Sequence, residues 1–153
     1  MKRVVLSLVA VVMLFAVSAQ AQVFKLSLWD DICIPNGDYT GGLELGIGSQ
    51  TQAVDGVQLG IIYSQAGKLQ GVQLGLVNNT DDGIGVQWGL ANIAQDFTGA
   101  QVGFVNYAKE TTGLQLGFVN YTETMKGLQL GFVNIIKDNK MFLPVFVIFN
   151  FCF

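Results

Sequence analysis

The sequence predicts an all-β fold, and within that class an antiparallel up-and-down transmembrane β-barrel. Three observations point there. Seven copies of a glycine-led block recur at spacings of 14, 15, 14, 14, 14 and 14 residues, and such regularity marks repetitive architecture. Charged side chains lie almost wholly between the blocks, with Glu44 the exception inside one. The chain also ends on a strand whose every second residue is bulky and apolar.

Composition narrows the classes first. Of 153 residues, 51% are hydrophobic and 12% charged, about half the charge of an average soluble protein, so disorder is excluded. Eleven acidic residues against 8 basic ones give a net charge of −3, which offers no electrostatic footprint for nucleic acid. Histidine is absent, and with it every Ser/His/Asp or Cys/His catalytic set.

The first element is an export signal over residues 1–21. Lys2 and Arg3 precede a 14-residue apolar run, Val4 to Val17, and Ala19, Gln20 and Ala21 form an A-x-A cleavage site. A membrane helix needs about 20 apolar residues, more than this run supplies. Cleavage after Ala21 leaves 132 residues with 6 basic and 11 acidic side chains, facing an oxidising compartment.

Residues 22–38 read as an N-terminal strand or a periplasmic arm. Phe24, Leu26 and Leu28 alternate with Lys25, Ser27 and Trp29, a strand period. As an arm, the segment brings Cys33 within reach of Cys152 for a disulfide; as a spanning strand, it puts a membrane thickness between them. Asp30, Asp31, Asn36 and Asp38 cluster at a turn, where an ordinary solvated turn is favoured over a weak calcium site. Two cysteines cannot by themselves make a four-ligand metal site, and no cofactor is expected.

Residues 39–153 form the repeat barrel domain. The blocks run GLELGIGS from Gly42, GVQLGIIY from Gly56, GVQLGLVN from Gly71, GVQWGLAN from Gly85, GAQVGFVN from Gly99, and GLQLGFVN from Gly113 and Gly127. Within a block the apolar residues alternate, so Leu116 and Phe118 face the lipid and Gly117 and Gln115 face inward. A tilted strand of about ten residues rises ~23 Å, close to the apolar band of an outer-membrane barrel. Seven blocks plus the C-terminal strand give eight strands; a crossing by residues 22–38 with a further strand gives ten. Gln58, Gln73, Gln87, Gln101, Gln115 and Gln129 fill the interior as a structural set, because a small barrel is packed by side chains. Gly103, Gly117 and Gly131 form a bare interior strip beside them.

A repeat β-solenoid with stacked Gln and Asn ladders is the alternative, suggested by a period of 14 rather than 28 and by connectors of similar length at both ends. It ranks second because a closed coil must present apolar residues inward from every side, which the connectors AKETT and TETMK do not supply consistently.

Two resemblances add to this reading. Val145, Val147, Phe149, Phe151 and the final Phe153 resemble the C-terminal signal of bacterial outer-membrane β-barrels, which implies recognition by the barrel-assembly machinery. The GLQLGFVN blocks, over residues 42–134, resemble tandem units of bacterial surface-repeat proteins, a family that brings little biochemistry with it. Glu44 and Ser49 depart from that pattern in the first copy, and Tyr63 in the second. Together the residues imply a small non-enzymatic barrel of the bacterial outer membrane, with lipid as its surroundings and a structural or surface-exposed role. The competing functions are a small-solute permeation protein and a secreted solenoid adhesin.

Overall fold

The structure is a computed structural model and describes residues 23–29 and 32–153; the export signal expected at 1–21, and Asp30 and Asp31 of the expected turn, lie outside the described residues. The strands are β1 (Phe24–Trp29), β2 (Ile32–Ile34), β3 (Tyr39–Thr40), β4 (Leu43–Trp88), β5 (Ala91–Ile136) and β6 (Val145–Cys152). A straight strand of 46 residues would run ~150 Å. Instead β4 and β5 wind, and each level pairs with the next in parallel, Val77 against Ala91, Gly85 against Gly99 and Gln87 against Gln101.

This is a β-solenoid, and it overturns the antiparallel barrel of eight or ten strands. A barrel sets each residue against a partner reflected across a turn. Here residue i meets residue i+14, so every position lies on its own kind. Phe118 stacks on Phe132, whereas the antiparallel register would have set it against Leu130. Like-on-like stacking suits a repeat rich in Gln, Asn and Phe, whose amides and rings gain from neighbours of the same type.

The objection to a closed coil fails on where the connectors point. Ala108 and Thr111 of AKETT, and Thr122 and Met125 of TETMK, are all buried. Ala108 joins Val54, Ala66, Leu69, Ala94 and Phe97 in the apolar part of the core, and the Thr111 and Thr122 hydroxyls bond each other. Gly83 leaves space that the Phe97 ring occupies one level on. Most of the remaining interior is polar, the Gln and Asn rows together with buried Ser and Thr hydroxyls. Leu116 and Phe118 stand outside the coil.

The glycine that opens each block turns a corner of the coil. From Gly56 to Gly127 this row has φ between +134° and +150°, a region L side chains rarely enter. The second copy holds one residue more than the others, taken up at the exposed pair Ile61 and Ile62.

Both ends are covered. At the start, β1 runs parallel to β4, Phe24 beside Leu43 through Ser27 beside Gly46, and β2 folds back antiparallel on β1. At the finish, β6 lies antiparallel on the last level, Gly127 against Cys152 and Leu130 against Phe149. The apolar C-terminal strand is therefore an end cap, not the closing strand of a barrel. Val145, Val147, Phe149 and Phe153 are exposed and Phe151 half-buried, with Phe142 stacked on Phe149 and Phe151 and edge-on to Phe146. Cys33 on β2 and Cys152 on β6 are free thiols at opposite ends of the solenoid, so the disulfide considered above does not form within one chain.

Candidate functional site

The inside of the solenoid is two hydrogen-bonded columns that run in opposite directions. In the glutamine column each Nε2 donates to the Oε1 one level earlier: Gln73 to Gln58 at 2.9 Å, Gln87 to Gln73 and Gln101 to Gln87 at 2.8 Å, Gln115 to Gln101 and Gln129 to Gln115 at 2.7 Å. In the asparagine column each Nδ2 donates to the Oδ1 one level later, from Asn78 through Asn92, Asn106 and Asn120 to Asn134, all at 2.8 Å. The second amide hydrogens go to the backbone, as from Gln115 to the Tyr121 carbonyl and from Asn106 to the Leu116 carbonyl. All six glutamines are fully buried. Paired amides in a low-dielectric interior polarise one another, so the columns stiffen the rod along its axis.

Glu44, which replaces Gln in the first copy, stands at the head of the glutamine column. Gln58 donates to Glu44 Oε2 at 3.3 Å, and Glu44 also accepts from Ser27 at 2.9 Å and Thr51 at 2.7 Å. A carboxylate accepts without donating, which is what a column of donors pointing toward it requires. Lys25 supplies the counter-charge, 3.8 Å away and equally buried, and donates to Thr51 and to the Gly37 carbonyl. Among the described residues the buried side-chain atoms left without a partner are Gln129 Oε1 at the end of its column, Asn78 Oδ1 where Asn gives way to Ser64, and Ser49 Oγ in the first copy. Asn78 and Asn120, which open weak N-x-T matches in the sequence, lie inside this column.

Replacing Gln101 by Leu removes the acceptor for Gln115 and the donor to Gln87 at nearly constant volume. The expected loss is ~2–4 kcal/mol, from orphaned buried amide groups at about 1–3 kcal/mol each. Urea unfolding followed by the far-ultraviolet β signal measures it, and a loss under ~0.5 kcal/mol would show the column to be dispensable.

The outer surface has two characters. Connectors carry the charge: Gln95 donates to Asp81, Lys109 donates to Gln95, and Lys137 pairs with Glu123, exposed contacts of small energetic weight. The Tyr39 hydroxyl donates to the Asp55 carboxylate at 2.9 Å, which raises its pKa above the usual 10.0.

The block face is apolar throughout. The fourth residues of the blocks (Leu45, Leu59, Leu74, Trp88, Val102, Leu116, Leu130) and the sixth (Ile47, Ile61, Leu76, Leu90, Phe104, Phe118, Phe132) make two outward ridges. Between them lies a floor of glycine, including Gly103, Gly117 and Gly131. A Cβ on Gly117 would point inward against the Gly103 carbonyl and stand 2.6 Å from Asn106 Nδ2, so the asparagine column admits only glycine there, and the backbone of these inward-facing positions is the floor between the ridges. The resulting groove holds two open cavities. One, of about 770 Å³, is bordered by Leu26, Leu28, Ile32 and Ile34 of the N-terminal hairpin; the other, of about 880 Å³, by Trp88, the phenylalanine row and Ile148. Phe104, Phe118 and Phe132 stack at 4.9 and 5.0 Å with rings within 7° of parallel. Phe132 is 63% and Trp88 64% exposed.

The structure thus gathers all the singled-out glutamines and glycines into the laddered wall and puts the C-terminal phenylalanines elsewhere, on the cap. The exposed ridges were visible in the sequence but assigned to lipid contact. The contribution of Ile148 had no sequence signal. Among the described residues no three His, Cys, Asp or Glu side chains group as metal ligands, and no helix is long and apolar enough to cross a membrane. Comparison with protein-family models, with curated proteins and with solved structures finds no match to this chain.

Proposed function

We propose that this chain is an exported, non-enzymatic surface protein that works by adhesion, a rigid solenoid presenting an apolar contact face. One observation carries the reading: two uninterrupted apolar ridges remain uncovered along the laddered wall while the opposite wall is polar. Monomeric soluble proteins rarely leave so large a continuous apolar patch exposed, and where they do it marks an interaction site. The amide columns hold the ridges in fixed register, which lowers the ordering cost of contact. A permeation role loses its support, because the interior is filled by Gln, Asn and apolar side chains. The likeness of the blocks to bacterial surface-repeat units and the export signal agree with a place outside the cytoplasm.

Cells exporting the wild-type chain are compared with cells exporting Phe118→Asp for retention on polystyrene under flow. Retention at least ten-fold higher for the wild type is expected at equal surface amount. Equal retention, or a chain held in the cytoplasm with residues 1–21 still attached, overturns the reading.

A further inference from the structure

The apolar face has an edge, a period and a charge pattern, and these together select its occupant. We infer that it pairs with the same face of a second copy of this chain, the two solenoids meeting about a twofold axis. The inference rests on the face being the working surface.

Area comes first. Seven levels at the ~4.8 Å strand spacing extend about 29 Å, and the outward positions of a block add roughly 17 Å of width. The footprint is on the order of 500 Å² in projection and larger once side-chain relief is counted. That approaches the ~800 Å² per partner of a standard stable interface.

Relief comes second. The face is a ridge, a glycine-floored groove and a second ridge, each repeating along the axis with the 4.9–5.0 Å spacing of Phe104, Phe118 and Phe132. A second copy carries the same period. Its phenylalanine ridge can therefore enter the groove over Gly103, Gly117 and Gly131 at every level, in the manner of a dry zipper between facing sheets ~10 Å apart.

Charge comes third and weighs against a bilayer as the occupant. A membrane-lying face is typically rimmed by Lys and Arg that meet anionic headgroups. After residue 21 this chain has 6 basic and 11 acidic side chains, and no Lys or Arg stands among the residues lining the two cavities of the face. Two copies pairing through the ridges keep their charged walls on opposite outer sides.

The cap supplies an independent sign. Ile148 has φ +71°, a strained conformation for a β-branched residue that persists where surroundings over-determine it. It sits at the register shift between Gly131 and Asn134, and the consequence is that an apolar side chain, 72% exposed, lines the end of the groove. A regular cap strand would have no such residue there.

The purified full chain is studied by sedimentation equilibrium between 1 and about 100 µM, with Trp29→Phe as background so that fluorescence reports Trp88 alone. A species of twice the chain mass is expected, with Trp88 emission blue-shifted and shielded from acrylamide as dimer forms. Phe118→Asp is expected to weaken pairing at least 100-fold and to leave the β signal intact, because that ring is outside the core; Thr112→Asp on the polar wall is expected to change nothing. Should Phe118→Asp not fold, Leu90→Gln and dilution of the wild type give the same readout. A wild-type chain that stays monomeric at 100 µM overturns the pairing, as does a dimer indifferent to Phe118 and Leu90. Phosphatidylcholine vesicles separate the two levels of failure. A monomer that floats with them through Phe118 refutes the pairing and keeps the working face, whereas a monomer that binds neither vesicles nor polystyrene refutes both.

Discussion

Lys25→Met is expected to destabilise the chain by about 3–5 kcal/mol, the range for removing one partner of a buried ion pair. Glu44 would be left fully buried with four hydroxyl or amide donors, from Ser27, Thr40, Thr51 and Gln58, and no counter-charge. Adding Glu44→Gln to Lys25→Met is expected to restore most of the loss. The double variant makes the head of the glutamine column a neutral amide like every other level, and an ion pair replaced as a unit is often close to neutral in stability. Guanidinium unfolding of the wild type, both single variants and the double variant measures the coupling. Additive effects would mean that Lys25 and Glu44 act independently and that the column does not need a carboxylate at its head.

Gly113→Ala is the second large effect, at ~3 kcal/mol or more. Gly113 has φ +134°, and a Cβ there would overlap the carbonyl oxygen of Gly99 on the level before. Holding an L residue in this glycine-favouring backbone region costs about 1–3 kcal/mol, and forcing extra volume into a closed contact adds ~1–3 kcal/mol. The neighbouring Thr112→Ala, exposed on the same coil, is expected to stay within ~0.5 kcal/mol. Thermal and urea unfolding of both variants decide the matter; a Gly113→Ala protein as stable as Thr112→Ala would show that the corner can open.

Much of this was legible in the chain. The repeat, its period, the strand alternation inside a block and the inward Gln and outward Leu116 and Phe118 all follow from residue spacing. Strand direction does not. Alternation over eight residues is the same for a strand that turns back and for one that winds onward, and only the corners differ. The corner signal was present in the glycine that opens each block, whose positive φ is a property of a bend. Glycine also suits a barrel interior, and its presence alone could not separate the two. The connectors misled for a related reason. AKETT and TETMK look polar as strings, yet a coil needs only two inward residues from each, and Ala108, Thr111, Thr122 and Met125 suffice. The departure at Glu44 was visible in the sequence but its role was not, because it depends on Lys25 being brought alongside by β1, a contact between residues 19 apart that no local pattern encodes.

Sameness along the rod has one further consequence, for how the chain finds its frame. Slipping β5 against β4 by one whole level would still place Gln on Gln and Asn on Asn, so the repeated interior is nearly blind to translation. What fixes the count is whatever occurs once: the carboxylate Glu44 with its lysine, the extra residue at Ile61 and Ile62, and the Asn134 and Asn150 contacts under β6. These act as start, index and stop marks on an otherwise unmarked ruler. Removal of residues 99–112, one complete level, leaves all three marks in place, and the shortened chain retains both amide columns and the stacked phenylalanines Phe118 and Phe132. Length in such a molecule is therefore a free variable, set by how many levels stand between the marks.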